Sequence, residues 1–339
     1  MNYGKIMSRA FEITYKYRAL WLFGVLLALF GGGGSSGNFN PGNFINSGSG
    51  RGTSPGNFPT LPSVSSETWQ LIAVLIAALV CFALAWILLG IILRFVSRAA
   101  LIGSVQELEA NETKPTIKRG FSIGAERFWK LLGIALTINI PLMLISFALI
   151  LLAALPLLVA LMPLIRSGRT APSELTSIAI AGGVGSVALL CCAALVLIVI
   201  SFIIHPFYEF IVRTCVINKR GVMDSIREGY RVVRANLGNV AVLYILAIGI
   251  GIGFGLLMIP IALILIGLPV GAGLLVYWLA NSMSGGIIAG VVLGIPMLLV
   301  LLFIGGLYRV FESALWTEGY LAVIGLPATT ATLAAATTP

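Results

Sequence analysis

Long apolar stretches without a single charged residue dominate the pattern of the chain. They cover residues 68–93, 131–165, 175–208 and 239–308. Each is longer than the roughly 20 residues that an α-helix needs to cross a bilayer. The pattern therefore predicts a helical protein that passes through a membrane several times, and it excludes an ordinary water-soluble domain.

The edges of the apolar stretches predict where the helices enter and leave the membrane. We place the first crossing at 17–34, the second at 69–93 and the fourth at 177–208. Between the first two, residues 35–67 are rich in Gly, Asn, Ser and Pro, with too little apolar surface to offset the entropy of ordering. This external loop and the tail 327–339 are therefore expected to be flexible.

The stretch 131–165 is long enough for one extended helix or for a tight pair of helices. Pro141, Pro156 and Pro163 are the residues at which such a pair could break. Two crossings here would place the cationic residues at 213–234 on the opposite side from the other cationic groups. The positive-inside rule therefore favours a single third crossing.

The stretch 239–308 is predicted to hold two further crossings. Gly267, Pro269, Tyr277, Trp278 and Asn281 are assigned to an apolar connector between them. Because Tyr and Trp favour the membrane interface, the connector is expected to lie at the outer surface or to re-enter the bilayer. A third full crossing within 267–286 is the competing interpretation, and it would move the C-terminus outside.

Charged residues form only 10% of the chain, against roughly 25% in soluble domains. The formal charge is +9, and most Lys and Arg residues lie before residue 21, between 94 and 130, or between 213 and 234. Since cytoplasmic segments retain Lys and Arg, these groups and both termini are assigned to the cytoplasmic side. Anionic lipid headgroups are the expected partners of these cations, and nucleic acid is not.

Three parts of the chain resemble one another at regular spacing. The sequence AFEI at 10–13 corresponds to GFSI at 120–123 and to GYRV at 229–232, and each precedes an apolar stretch. Equal spacing of this kind indicates an internal repeat. Each unit is interpreted as a cytoplasmic amphipathic helix, a span outward, an external connection and a span inward.

The repeat defines the expected fold class. We predict an all-α, polytopic membrane bundle of six transmembrane helices, arranged as three pseudo-repeated hairpins, in one domain covering 1–326. The pseudo-repeats are 1–110, 111–220 and 221–326. Each hairpin is expected to follow an amphipathic helix that lies at the lipid headgroups, and these helices are placed at 3–18, 116–130 and 222–236.

Ionisable side chains near membrane depth are the first functional candidates. In the repeat, Glu209 takes the place that Arg94 and Arg309 hold in the other two units. A threefold arrangement would bring one carboxylate near two guanidinium groups, so we hypothesise an ion-pair cluster that ties the hairpins together. The alternative is that the three side chains extend separately into the headgroups.

Asn139, His205 and Asn281 are the candidates for a polar site within the membrane. Asn139 near Pro141 could expose the carbonyl of a broken helix to a substrate, and His205 could serve a proton path. The structural alternative for Asn139 is a proline kink whose freed backbone groups bond to a neighbouring helix. The alternative for His205 is a lone histidine with a structural role.

No catalytic residue, cofactor or metal site is predicted. The four cysteines lack zinc-site spacing, and His205 is the only histidine. The glycines at 249–255 lack the preceding strand of a nucleotide-binding loop. Gly251 and Gly255, with Gly286, Gly290 and Gly294, are instead typical of helices that pack closely in a membrane.

Short motifs at both ends of the chain resemble a broad group of uncharacterised bacterial integral membrane proteins. They are FEIT at 11–14, ALWLFG at 19–24, GYR at 229–231, NLGN at 236–239 and ALWTEGY at 314–320. The group is similar to the membrane domain attached to some glycerophosphoryl diester phosphodiesterases. This resemblance implies a six-helix bacterial membrane domain and does not imply an activity. The hydrolase half of such fusions needs a soluble domain rich in carboxylates and histidines, which this sequence lacks, so no catalytic residue can be carried over.

Two hypotheses of function follow from the sequence. The first is a non-enzymatic protein that acts by association, as a scaffold, an assembly factor or an accessory subunit. The second is a permease or lipid-handling protein with a cavity between hairpins. A polar cavity lined by Asn139, His205 or Asn281 would favour the second hypothesis, and a dry, tightly packed core would favour the first.

Overall fold

A computed structural model describes residues 1–31, 66–111, 114–167 and 172–325, and all regular structure in these ranges is α-helical. Residues 35–65 of the predicted external loop and the tail 327–339 lie outside the described residues. The helices are α1 Tyr3–Lys16, α2 Ala19–Phe30, α3 Ser66–Asn111, α4 Ile117–Ser167, α5 Pro172–Asn218, α6 Val222–Ala235, α7 Leu237–Ala280 and α8 Met283–Val323.

The predicted class, an all-α polytopic membrane bundle, is confirmed by the length and composition of these helices. Among the described residues, α3, α4, α5, α7 and α8 are each long and apolar enough to cross a bilayer. The pair α1 and α2 passes the same criterion jointly, although it is bent by 99°. The described chain thus has five possible crossings, or six if the bent pair makes one.

The helix in the segment predicted as the first crossing is shorter than expected. Helix α2 has 12 residues, about 18 Å at 1.5 Å per residue, whereas the prediction placed the crossing at 17–34. The helix ends at Phe30, and the amide of Gly31 donates to the carbonyl of Leu27 at 2.7 Å. Glycine is a poor helix former, so the run of glycines that begins at Gly31 explains the early end.

The prediction of a single helix over 131–165 is confirmed. Helix α4 continues through Pro141 and Pro156 to Ser167. The separate amphipathic helix predicted at 116–130 is wrong, because that segment is the first part of α4. No Gly, Asn or Pro stands between residues 125 and 132 to end a helix, whereas Asn236 caps α6 before α7 begins.

The connector predicted between the last two crossings is much shorter than expected, and of its predicted residues only Asn281 lies outside the helices. Helix α7 continues through Gly267, Pro269 and Trp278 to Ala280, and α8 begins at Met283. Only Asn281 and Ser282 join the two helices, and Asn281 adopts a left-handed φ of 44° that reverses the chain. Prolines are tolerated inside membrane helices, which explains why Pro269 does not end α7.

Buried apolar side chains lie mainly toward the charged ends of the long helices. In α3 they lie between Phe95 and Leu108, and in α8 between Val310 and Leu321. In α5 they lie between Phe210 and Ile217, apart from Ala193. The packed core therefore begins where the apolar stretches end.

The chain divides into two compact units. The first comprises Met1–Phe128 and Val242–Pro339, and the second comprises Trp129–Ala241. In the first unit, α2 packs against α8 and α3, and α1 packs against α8. In the second unit, α5 packs against α6.

The first residue of the aligned motif has the same burial in all three units. Ala10, Gly120 and Gly229 are all buried. A Cβ added at Gly120 would lie 2.6 Å from the ring of Phe23, and one at Gly229 would lie 2.8 Å from the Cα of Ile211. A small residue is therefore required at both glycines. The threefold repeat itself stays a prediction.

Candidate functional site

The sharp bend between α1 and α2 is the first feature of interest. The two helices meet at 99°, and Tyr17 and Arg18 form the corner. The indole Nε1 of Trp21 donates to the backbone carbonyl of Thr14 at 2.8 Å, which satisfies one of the free carbonyls at the end of α1. This bond holds the corner in a fixed geometry. If α2 enters the bilayer along its normal, α1 lies in the plane of the membrane surface.

Helix α1 carries two separate apolar faces. Ile6, Ala10 and Ile13 are buried in the first unit's core. The second face consists of Met7, Phe11 and Tyr15, which follow one another at intervals of four residues and are 41%, 66% and 77% exposed. Residues four apart lie on the same side of a helix. The second face is therefore an apolar stripe that the described parts of the chain leave largely uncovered.

A shallow groove runs along α1 to the bend. Its lining residues are Ser8, Phe11, Glu12, Tyr15, Lys16 and Arg18. Arg9 donates to the carboxylate of Glu12 at 2.9 Å, and this hydrogen bond holds the pKa of Glu12 below its usual value. The ammonium of Lys16 lies 3.6 Å from the same carboxylate, and the guanidinium of Arg18 lies 5.9 Å from the centre of the Trp21 ring.

A partly buried charge cluster links α1, α3 and α8. The Nε of Arg9 donates to Glu109 at 2.9 Å, and the Glu109 side chain is 10% exposed. Glu318 is 1% exposed, and its carboxyl group lies beside that of Glu109. Glu109 and Arg9 are the charged groups that act on Glu318. We call these three residues the Arg9 cluster.

Exchange of Glu318 for Gln is expected to leave the protein equally stable or about 1 kcal/mol more stable. The amide keeps the size of the buried side chain and removes an acidic group that lies beside the acidic group of Glu109. Glu109→Gln is the matched variant and should be destabilising, because Arg9 then loses a buried partner. The melting temperature in mild detergent measures both effects. Equal losses in the two variants would contradict this account of Glu318.

Glu209 and Arg309 of the predicted ion-pair cluster each pair with an oppositely charged residue on their own helix. The side chain of Glu209 accepts a hydrogen bond from Arg213, which is 2% exposed. Arg309 donates to Glu312 at 2.9 Å, and the guanidinium of Arg94 lies 6.0 Å from the centre of the Phe95 ring. The cluster of Arg94, Glu209 and Arg309 stays a prediction.

The three residues of the predicted polar site lie on different elements. The amide of Asn139 donates to the carbonyl of Ala135 at 2.8 Å, so it is satisfied within α4. His205 is half-buried in α5, directly before the buried Pro206. Asn281 is exposed in the connection between α7 and α8. Asn139 and His205 belong to the second unit and Asn281 to the first. The shared site therefore stays a prediction.

Helices α7 and α8 approach each other closely and leave an apolar groove beside the contact. A Cβ added at Gly286 would lie 2.7 Å from the carbonyl oxygen of Gly273, whereas one at Gly255 would meet nothing within 4 Å. Within the described parts of the chain, the predicted packing role thus applies to Gly286 but not to Gly255. A groove of about 380 Å³ lies between the helices, and its lining includes Pro269, Val291 and other apolar residues.

Sequence reasoning missed the Arg9 cluster and the buried guanidinium of Arg213. In the sequence, nothing distinguishes these residues from the other charged residues near the ends of apolar stretches. One signal was available, because Glu318 lies within ALWTEGY, a run that is otherwise free of charge. A lone acidic residue inside an apolar and aromatic run indicates a buried carboxylate.

These features define a polytopic α-helical membrane protein with a packed, charge-bearing core at the ends of its helices. The chain belongs to the family of unknown function DUF7544, whose model matches residues 9–325. No curated protein and no solved structure matches the chain. The resemblance to the membrane domain of glycerophosphoryl diester phosphodiesterases stays a hypothesis.

Proposed function

We propose that the chain is a non-enzymatic integral protein of a bacterial inner membrane that acts by association. It serves as a scaffold, an assembly factor or an accessory subunit. Both termini and the charged helix ends lie in the cytoplasm, in agreement with the distribution of Lys and Arg.

The weak burial of the apolar stretches carries this proposal, and the tightly packed core expected for association lies at the charged helix ends and not within the spans. In each of the five long helices, between 0% and 6% of the most apolar 18-residue segment is buried within the chain. Leu75 of α3 and Ile198 of α5, for example, are 69% and 62% exposed. A transporter needs spans that pack around a pathway, whereas these spans offer apolar surface to lipid or to the helices of another protein. Association within the membrane is the function that such a surface favours.

A second candidate function is lipid handling, either as a permease or as a lipid-binding protein. The groove between α7 and α8 favours it, because apolar residues line it and its elongated helical walls suit an acyl chain. The groove contains no cationic side chain among its lining residues, so it offers nothing to a headgroup.

Photo-crosslinking in native membranes distinguishes the two candidates. A photoreactive amino acid replaces Leu75 or Ile198 on the exposed spans, Val291 in the groove, or the buried Val212 as a control. We expect a partner protein of one defined mass to be crosslinked from Leu75 or Ile198. The buried position Val212 should crosslink no partner protein. Lipid as the sole product at both exposed positions would contradict the association proposal. Lipid captured selectively from Val291 would then support lipid handling.

A further inference from the structure

We propose that the groove at the bend of α1 binds one anionic phospholipid of the cytoplasmic leaflet. Lys16 and Arg18 hold the phosphate, and Phe11 and Tyr15 contact the glycerol and the upper acyl chain. The site rests on the membrane orientation in the proposed function. It goes beyond that function by assigning a defined lipid site to one helix.

The bend places the groove at the depth of the lipid headgroups. Because α2 meets α1 at 99°, a membrane-inserted α2 holds α1 along the surface. The hydrogen bond from Trp21 to Thr14 and the burial of Ile13 fix this orientation before any lipid binds. A site that is already formed loses little conformational freedom on binding.

The charges of the groove match a phosphodiester. Lys16 and Arg18 are its cations and Glu12 is its only carboxylate, which leaves one net positive charge among the lining residues. Arg9 donates to Glu12 at 2.9 Å, whereas the ammonium of Lys16 lies at the longer distance of 3.6 Å and is 62% exposed. The ammonium is thus accessible to a second, negatively charged partner. Arg18 adds a guanidinium, which suits phosphate oxygens.

The remaining lining residues suit the part of a lipid just below its phosphate. Phe11 and Tyr15 are 66% and 77% exposed and belong to the uncovered apolar stripe. Tyrosine favours the membrane interface, where its ring contacts acyl chains and its hydroxyl contacts water or headgroups. The hydroxyl of Ser8 is a further donor for phosphate or glycerol oxygens. One surface therefore combines cations, hydroxyl donors and exposed aromatic rings, as an amphipathic membrane-surface helix requires.

Native mass spectrometry of the full chain in mild detergent tests the site. The probes are phosphatidylglycerol, phosphatidylcholine and inorganic phosphate. Lys16→Gln with Arg18→Gln removes both groove cations, and Lys5→Gln with Lys118→Gln removes the same charge from positions outside the groove lining. We expect the native chain to retain one phosphatidylglycerol in preference to phosphatidylcholine. The groove variant should bind it about tenfold more weakly, and the control variant should bind it as the native chain does.

Three results would overturn the lipid site. Equal losses in both double variants would show general electrostatic attraction without a site, and no loss in either would show that Lys16 and Arg18 do not contribute. Displacement of the lipid by inorganic phosphate alone would identify a site for a soluble anion. Unchanged melting temperatures exclude misfolding of the variants. Crosslinking from Leu75 and Ile198 does not involve the groove on α1. The lipid site can therefore fail while the association function holds, and the reverse can also be observed.

Discussion

Exchange of Glu209 for Gln is expected to lower the free energy of unfolding by about 3 kcal/mol. The carboxylate of Glu209 accepts a hydrogen bond from Arg213, whose side chain is 2% exposed. Removing the charged partner of a buried guanidinium takes away compensation for its charge, and this is far costlier than loss of an exposed pair. Unfolding of the purified protein in mixed detergent micelles measures the loss.

The exposed pair of Glu107 and Arg119 provides the control for Glu209→Gln. Arg119 is 64% exposed, so Glu107→Gln is expected to cost less than about 1 kcal/mol. A loss for Glu209→Gln no larger than that of the control would contradict the assigned role of the pair. Double-mutant cycles of Glu209 with Arg94 and with Arg309 separately test the predicted three-residue cluster. Coupling of Glu209 to neither arginine would overturn that cluster.

Exchange of Gly306 for Ala is expected to destabilise the first unit by about 2 kcal/mol. Gly24 of α2 and Gly306 of α8 lie where the two backbones come closest. A Cβ added at Gly306 would lie 2.8 Å from the backbone nitrogen of Val25, and one at Gly24 would lie 2.4 Å from the carbonyl oxygen of Gly306. Backbone atoms cannot rotate away, so the helices must separate, and overpacking of this kind costs about 1–3 kcal/mol.

The variant Gly253→Ala is the matched control for Gly306→Ala. It makes the same substitution in a long helix, at a position where an added Cβ meets nothing within 4 Å. Its melting temperature is expected to equal or exceed that of the native chain, because alanine favours a helix over glycine. Equal melting temperatures for the two alanine variants would contradict the close contact between α2 and α8.

The sequence was sufficient to predict the fold class and most of the long helices, because apolar length and missing charge are local properties. The ends of elements were harder to predict. The connector was predicted too long because Gly, Pro and aromatic residues at 267–278 were taken as breaks, whereas a membrane helix tolerates them and α7 continues to Ala280. The short helix at 116–130 was wrong for the opposite reason, since no residue there ends the helix.

The candidate site was only partly accessible from the sequence. The basic, amphipathic character of residues 3–18 was recognised, but the division of α1 into a buried face and an exposed stripe depends on what packs against Ile6 and Ile13. The pairing of Arg9 with Glu109 joins residues that are far apart in the chain, so no local pattern could indicate it. In contrast, the burial of Glu318 had a local signal in the apolar run around it.

The position of the packed core has a consequence for how the protein responds to its membrane. The buried side chains lie toward the charged helix ends, while the side chains of the most apolar segments are largely exposed within the chain. A helix adapts to a thicker or thinner bilayer by tilting, which is opposed mainly by contacts with neighbouring helices at that depth. Changes in lipid chain length should therefore alter helix tilt at little cost to folding stability, so that one sequence can serve in membranes of different thickness.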